Sequence, residues 1–304
     1  MHHAILSFLK MTTTTPQIRF VLDINDTLTL LNCIDACKSI DGVLMQLVAQ
    51  NIYISHQDKR VSMESYIKST IEDKKLQRKT YENLVAFTSD LHERGLIESS
   101  EFRISLLHKL YQYTWEETLA KNDGFFDSCF HLLDYIFKHY PESPVIIQSF
   151  GGEIERFLKA IKNRYPDKPM DETVFQFEPY VDEEISRDIP MEDTIQNLIS
   201  ELESRIQPGK IIAVRNDYRS WTSFGFGKPL LFTDQVKTFF FDDNAYRCAT
   251  VVERKDEKFV IGKVEDYPEC IIKVNTARAL LEPNYLSDFI RTWFAMRVED
   301  MILI

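Results

Sequence analysis

A chain of 304 residues, 44% hydrophobic and 12% aromatic, is long enough for one α/β domain with a sizeable insertion, or for two modest domains. Its net charge of −11 and pI near 5.2 argue against general nucleic-acid or anionic-membrane binding, though not against a small anion in a local pocket. Five scattered cysteines without a CxxC pair suit a reducing, cytoplasmic compartment, and no apolar stretch reaches the roughly 18 residues that span a bilayer.

The opening run MHHAILSFLKM lacks a basic start and a long apolar middle, so it does not read as a signal peptide. Residues 1–17, ending in a threonine tract, read as a flexible lead. Ile18 to Leu22 is a near-continuous apolar run that ends at Asp23, the pattern of a first core strand buried on both faces. Residues 30–122 show helical spacing, as in Ile34, Cys37, Ile40, Leu44 and Leu47, and no convincing core strand. Cys33 and Cys37 share a helix face there. With no further cysteine or histidine to complete a set, they read as small apolar residues rather than metal ligands.

After Gly124, the stripe Phe126, Phe130, Leu133 and Phe137 predicts an amphipathic helix. Val145 to Ile147 predicts a second strand ending at Gln148-Ser149, and Gly151-Gly152 opens another helix. A short extra strand is expected near Thr173–Phe177 and a helix over 195–206. Ile211 to Val214 and Thr238 to Phe241 are the third and fourth strands. The fourth ends at Asp242-Asp243-Asn244. A hairpin or arm is expected over 251–262, a further strand over 271–274 and a closing helix over 284–296. Strands separated by helices predict a doubly wound, mostly parallel, Rossmann-like sheet. Its core would be residues 18–29 and 123–304, with 30–122 as an inserted helical cap.

In such sheets, ligands collect at the carboxyl ends of the strands. The residues expected there are Asp23, Asn25 and Thr27, then Ser149 with Phe150 and Gly151, then Asp242 and Asp243. Lys228 falls in the connection before the fourth strand. Carboxylates from two strands can hold a hard divalent cation through oxygen. A carboxylate beside that cation can attack phosphorus, while a hydroxyl and an ammonium steady the phosphoryl oxygens. The segment GFGK at 225–228 lacks the spacing of a Walker loop.

The run FVLDINDTLT resembles the first motif of the haloacid dehalogenase-like superfamily, an apolar strand followed by DxDxT. VIIQS, GKPLL and FFFDDN resemble its second, third and fourth motifs, in the family's order. The resemblance implies a Mg²⁺-dependent phosphoryl-transfer enzyme acting on a small phosphorylated molecule. It implies Asp23 as nucleophile and metal ligand, Asn25 as a metal ligand through its main-chain carbonyl, and Thr27 as support for the turn. Ser149 would bind a phosphoryl oxygen, Lys228 would steady the phosphate and the nucleophile, and Asp242 with Asp243 would complete the Mg²⁺ site. The chain departs from the pattern at Asn25, where family phosphatases carry an aspartate that acts as general acid and base. Asparagine can do neither, and loss of such a group costs about 10²–10⁴ in rate. A binder of phosphate or protein without turnover is therefore a second expectation, and a protein phosphatase a third. The cap's polar candidates are His56, Lys59 and Arg60.

Overall fold

A computed structural model of the protein describes residues 17–31, 40–56, 59–97, 101–171, 173–178, 191–225, 227–233, 236–255 and 258–302. Cys33, Cys37 and nearly all of the lead at 1–17 lie outside the described residues.

The first strand, β1 (Gln17–Asp23), is followed by the insertion. It holds α1 (Ile40–Gln50), a short hairpin of β2 (Tyr53–His56) and β3 (Lys59–Ser62), then α2 (Met63–Thr70), α3 (Lys74–Glu82), α4 (Leu84–Glu93) and α5 (Glu101–Asn122). Then come α6 (Asp127–His139), β4 (Val145–Ser149), α7 (Glu153–Arg164), β5 (Phe175–Phe177), α8 (Met191–Arg205) and β6 (Ile211–Asn216). The chain continues through α9 (Tyr218–Phe224), β7 (Lys228–Phe232), β8 (Val236–Asp242), α10 (Ala245–Cys248), β9 (Ala249–Lys255) and β10 (Lys258–Ile261). It closes with β11 (Ile271–Lys273), α11 (Thr276–Leu281) and α12 (Tyr285–Ile302).

Six strands form one sheet in the order β11-β8-β1-β4-β6-β5, and every pairing in it is parallel. The expectation of a mostly parallel sheet holds in stricter form. The period-two alternation of β1 explains why the sheet is covered on both faces. Phe20 and Leu22 join a core with Val145, Ile147, Phe239 and Phe241. Val21 faces the other way, among Ile146, Ile212, Phe240 and Ile271. Arg19 on that second face is also buried, and its guanidinium pairs with Glu203 of α8 at 2.7 Å. β1 lies between β4, which follows it, and β8, which comes later on its other side. That reversal of direction is a switch point, and it places a crevice at the carboxyl ends of β1 and its neighbours.

Two sequence expectations need adjustment. The insertion is mostly helical and adds no strand to the six-stranded sheet, but β2 and β3 pair antiparallel within it. Both strands are only four residues long and β3 opens on Lys59 and Arg60, so the alternation that marks a strand does not stand out. Lys228 is not in a connection. It is the first residue of β7, which pairs with β9 in a second, three-stranded sheet ordered β10-β9-β7. Pro229 disguised this strand, because proline is confined to edges and β7 is an edge. The predicted hairpin over 251–262 is present as β9 and β10. Insertion residues such as Leu44, Leu47, Ile67 and Leu84 share one apolar cluster with Phe20 and Leu22 of the sheet.

Candidate active site

β1 and β8 run side by side, with Leu22 opposite Phe241, so their last residues emerge together at one edge. These are Asp23 and Asp242, only 3% and 1% exposed. Lys228, equally buried, joins them. Its Nζ donates to Asp23 Oδ1 at 2.5 Å and to Asp242 Oδ2 at 2.6 Å. Asp242 has further donors: the Asn244 amide reaches Oδ1 at 2.6 Å and the Cys248 thiol reaches Oδ2 at 3.0 Å.

The turn after β1 is tightly bonded. The Leu28 amide donates to the Ile24 carbonyl, and the Asp26 amide to the Thr29 carbonyl. Asp26 takes a left-handed conformation, φ 55°, which aspartate tolerates better than most residues. Thr27 ties the turn to the site. Its hydroxyl donates to Asp23 Oδ2 at 3.3 Å and accepts from the Asp243 amide at 3.0 Å. The Asn25 side-chain oxygen is buried without a hydrogen-bond partner.

Oxygens of Asp23, Asp242 and Asp243 all lie within 4.8 Å of one another. Such a set of hard oxygen donors can hold a divalent cation. Asp242 spends both oxygens on Lys228, Cys248 and Asn244, whereas no hydrogen bond is formed by the Asp243 carboxylate among the described residues. Asp23 is likewise bonded on both oxygens, by Lys228 and Thr27, so Asp243 is the most open ligand. Burial, with Asp26, Asp242 and Asp23 close by, holds the Asp243 carboxyl well above the usual carboxylate range. Burial also pushes Asp23 up, to about 8, against the pull of Lys228 and with the push of Asp242. Burial opposes the charge on Lys228, but Asp23 and Asp242 outweigh it and raise the ammonium's affinity for its proton.

These shifts have a sign. The folded protein keeps protons on Asp23 and Asp243 that the unfolded chain releases above about pH 4. Stability from this source is complete below that pH and is lost as pH rises towards 8. Thermal melts in chelator should therefore fall between about pH 5 and about pH 9, and Asp243→Asn should flatten the slope. A melting temperature that climbs over that range would contradict the arrangement.

The second predicted group lies at the end of β4, where it was expected. Ser149 ends β4 and is buried, but its hydroxyl is hydrogen-bonded to the carboxylate of Glu153, itself 5% exposed, in the first turn of α7. The Gly151 amide points back to the same hydroxyl at 3.4 Å. Glu153 reads in sequence as an ordinary acidic residue suited to a helix start, so nothing there signals its burial. The Phe150 ring lies 5.1 Å from Lys228 Nζ and stacks on Trp221. Cys248 and Gly227 also went unread as site residues. A Cβ on Gly227 would overlap the carbonyl oxygen of Cys248, so this glycine lets β7 approach α10 and brings Lys228 into place. Gly227→Ala should cost about 1–3 kcal/mol through such overpacking, read from urea unfolding, and should lower any activity that needs Lys228.

A polar cleft of about 660 Å³ opens beside Asp26 and Asp243, walled on its other side by α1, β3 and α2 of the insertion. Of the cap's candidates, Arg60 lines it. His56 instead packs edge-on to Tyr66. In comparisons with known proteins, the chain matches no family model, no curated protein and no solved structure.

Proposed function

We propose that the protein is a Mg²⁺-dependent phosphoryl-transfer enzyme that uses Asp23 as nucleophile on a small phosphorylated molecule. The observation that carries this reading is the convergence of Asp23, Lys228, Asp242 and Asp243, from three strands and the turn after β8, on one sheet edge at a switch point. The donor set fits the metal, since all the candidate ligands are oxygens and the Asp243 carboxylate is open. Asp23 and Asp243 would hold Mg²⁺, with Asp242 beside them. The ion would supply charge neutralisation at the phosphoryl oxygens. Asp23 attacks phosphorus as the P–O bond to the leaving group breaks, and water then hydrolyses the acyl phosphate to free Asp23 and phosphate. Lys228 stabilises the charge that develops, and Thr27 holds the Asp23 carboxylate in line.

Proton transfer falls to Asp26 in this reading. Asn25 cannot donate a proton, and the turn brings Asp26 to the cleft wall next to Asp243. Its left-handed backbone is what turns it there. Asp26→Asn should therefore lower kcat about 10²–10⁴-fold on an alkyl phosphate, whose leaving group needs a proton. With p-nitrophenyl phosphate, whose leaving group departs unprotonated, the loss should be much smaller. Equal losses on both substrates would remove Asp26 from the role.

The bond between Ser149 and Glu153 favours a second reading, a binder without turnover, because a buried carboxylate occupies the hydroxyl expected to meet phosphate. Hydrolysis of p-nitrophenyl phosphate that requires Mg²⁺ supports the enzyme. Binding of Mg²⁺ by calorimetry with no hydrolysis across a broad phosphate panel supports the binder. The cleft volume falls within the range of small-molecule sites, which favours a metabolite over a protein substrate.

A further inference from the structure

We infer that the cleft takes a small, hydroxylated phosphate ester bearing a second anionic group, which Arg60 and Lys273 hold. This inference rests on the phosphoryl-transfer reading above and adds the substrate class to it. The charges along the cleft are unevenly spread. Asp26 and Asp243 sit at the end where the metal is proposed. Lys68 is neutralised by Glu64 at 2.7 Å, and Glu64 also receives the Gln46 amide at 2.8 Å.

Arg60 and Lys273 are the remaining charges, and neither forms an ion pair among the described residues. Arg60 projects from the insertion, and its guanidinium lies over the exposed Tyr53 ring at 4.7 Å. Lys273 ends β11 and is registered with Asp242, so it stands one strand beyond the carboxylate cluster. One cation from each wall thus faces the same space, at a remove from the carboxylates. A phosphoryl group at Asp23 would leave a second anion free to reach them. A guanidinium and an ammonium suit a carboxylate or a second phosphate. The rest of the lining is mainly amides and hydroxyls, including Gln50, Asn275 and Thr276, which suits a hydroxylated body rather than an aromatic one.

The test uses matched pairs with Mg²⁺: sugar bisphosphates against their monophosphates, and phosphoglycerate against glycerol phosphate. The doubly anionic member should be preferred in kcat/KM by about 10–100-fold, the range expected for charged hydrogen bonds. In Arg60→Met and Lys273→Met proteins, the ratio within each pair should fall towards one. Because the ratio is taken within one protein, a general loss of folded enzyme cancels. Equal or better use of the singly anionic members would overturn the inference, as would variants that keep the preference. If the wild-type protein hydrolyses no phosphate, p-nitrophenyl phosphate included, it is the enzyme reading that fails. Calorimetric titration of the same pairs into the Mg²⁺-loaded protein then decides the cleft, with a tenfold tighter doubly anionic ligand supporting it and no difference overturning it.

Discussion

Asp23→Asn is expected to abolish phosphate-ester hydrolysis, by at least about 10³-fold in kcat, while making the metal-free protein more stable. The first effect follows from nucleophilicity: a carboxylate can form an acyl phosphate and a neutral amide cannot. The second follows from burial. Asp23 is 3% exposed and shares its corner with Asp242 and Asp243, and only one ammonium balances the three. Removing one charge relieves the burial cost and, with it, the repulsion from Asp242 that together raise Asp23 to about 8. Activity and melting temperature should therefore move in opposite directions, an outcome that simple damage to the fold cannot produce. Steady-state hydrolysis of p-nitrophenyl phosphate with Mg²⁺, beside thermal melts in chelator at pH above about 8, measures both. A variant that keeps a tenth of the activity would remove Asp23 from the nucleophile's role.

Lys228→Met carries the other large effect. The ammonium bridges two buried carboxylates, and breaking a buried pair by deleting one partner costs about 3–5 kcal/mol. At roughly 2–4 °C per kcal/mol for a protein near this size, the melting temperature should drop by at least about 6 °C. Two signatures identify the cause. The deficit should shrink at low pH, where protons replace the missing cation, and adding Asp242→Asn should restore part of the stability by removing the stranded charge. A loss that is the same at every pH would mean that packing of the lysine stem, not its charge, matters. The variant should also lose about 10²–10³ in kcat, because Lys228 is the fixed cation at the reacting centre.

Much of this arrangement was legible in the sequence. β1, β4, β6 and β8 stand out as short apolar runs, because a strand buried on both faces leaves little room for polar side chains. That each run ends in a polar residue is also local information, and with the expected parallel sheet it pointed to Asp23, Ser149 and Asp242. β3 and β7 were hidden for opposite reasons. β3 is exposed and polar, and β7 is wholly buried but carries Pro229.

Thus the sequence by itself determined the parallel sheet, the insertion after β1 and the candidates at the strand ends, because burial pattern and chain direction are properties of short segments. Which of those candidates meet, and which are open, only the tertiary structure decided. Lys228 reaches across 205 residues to Asp23, and the Asp243 amide across 216 to Thr27. Asp242 is bound on both oxygens while its neighbour is not, and the Ser149 hydroxyl is taken by Glu153. Hydrogen bonds in a buried corner depend on where packed elements bring their donors, and no local pattern of residues records that.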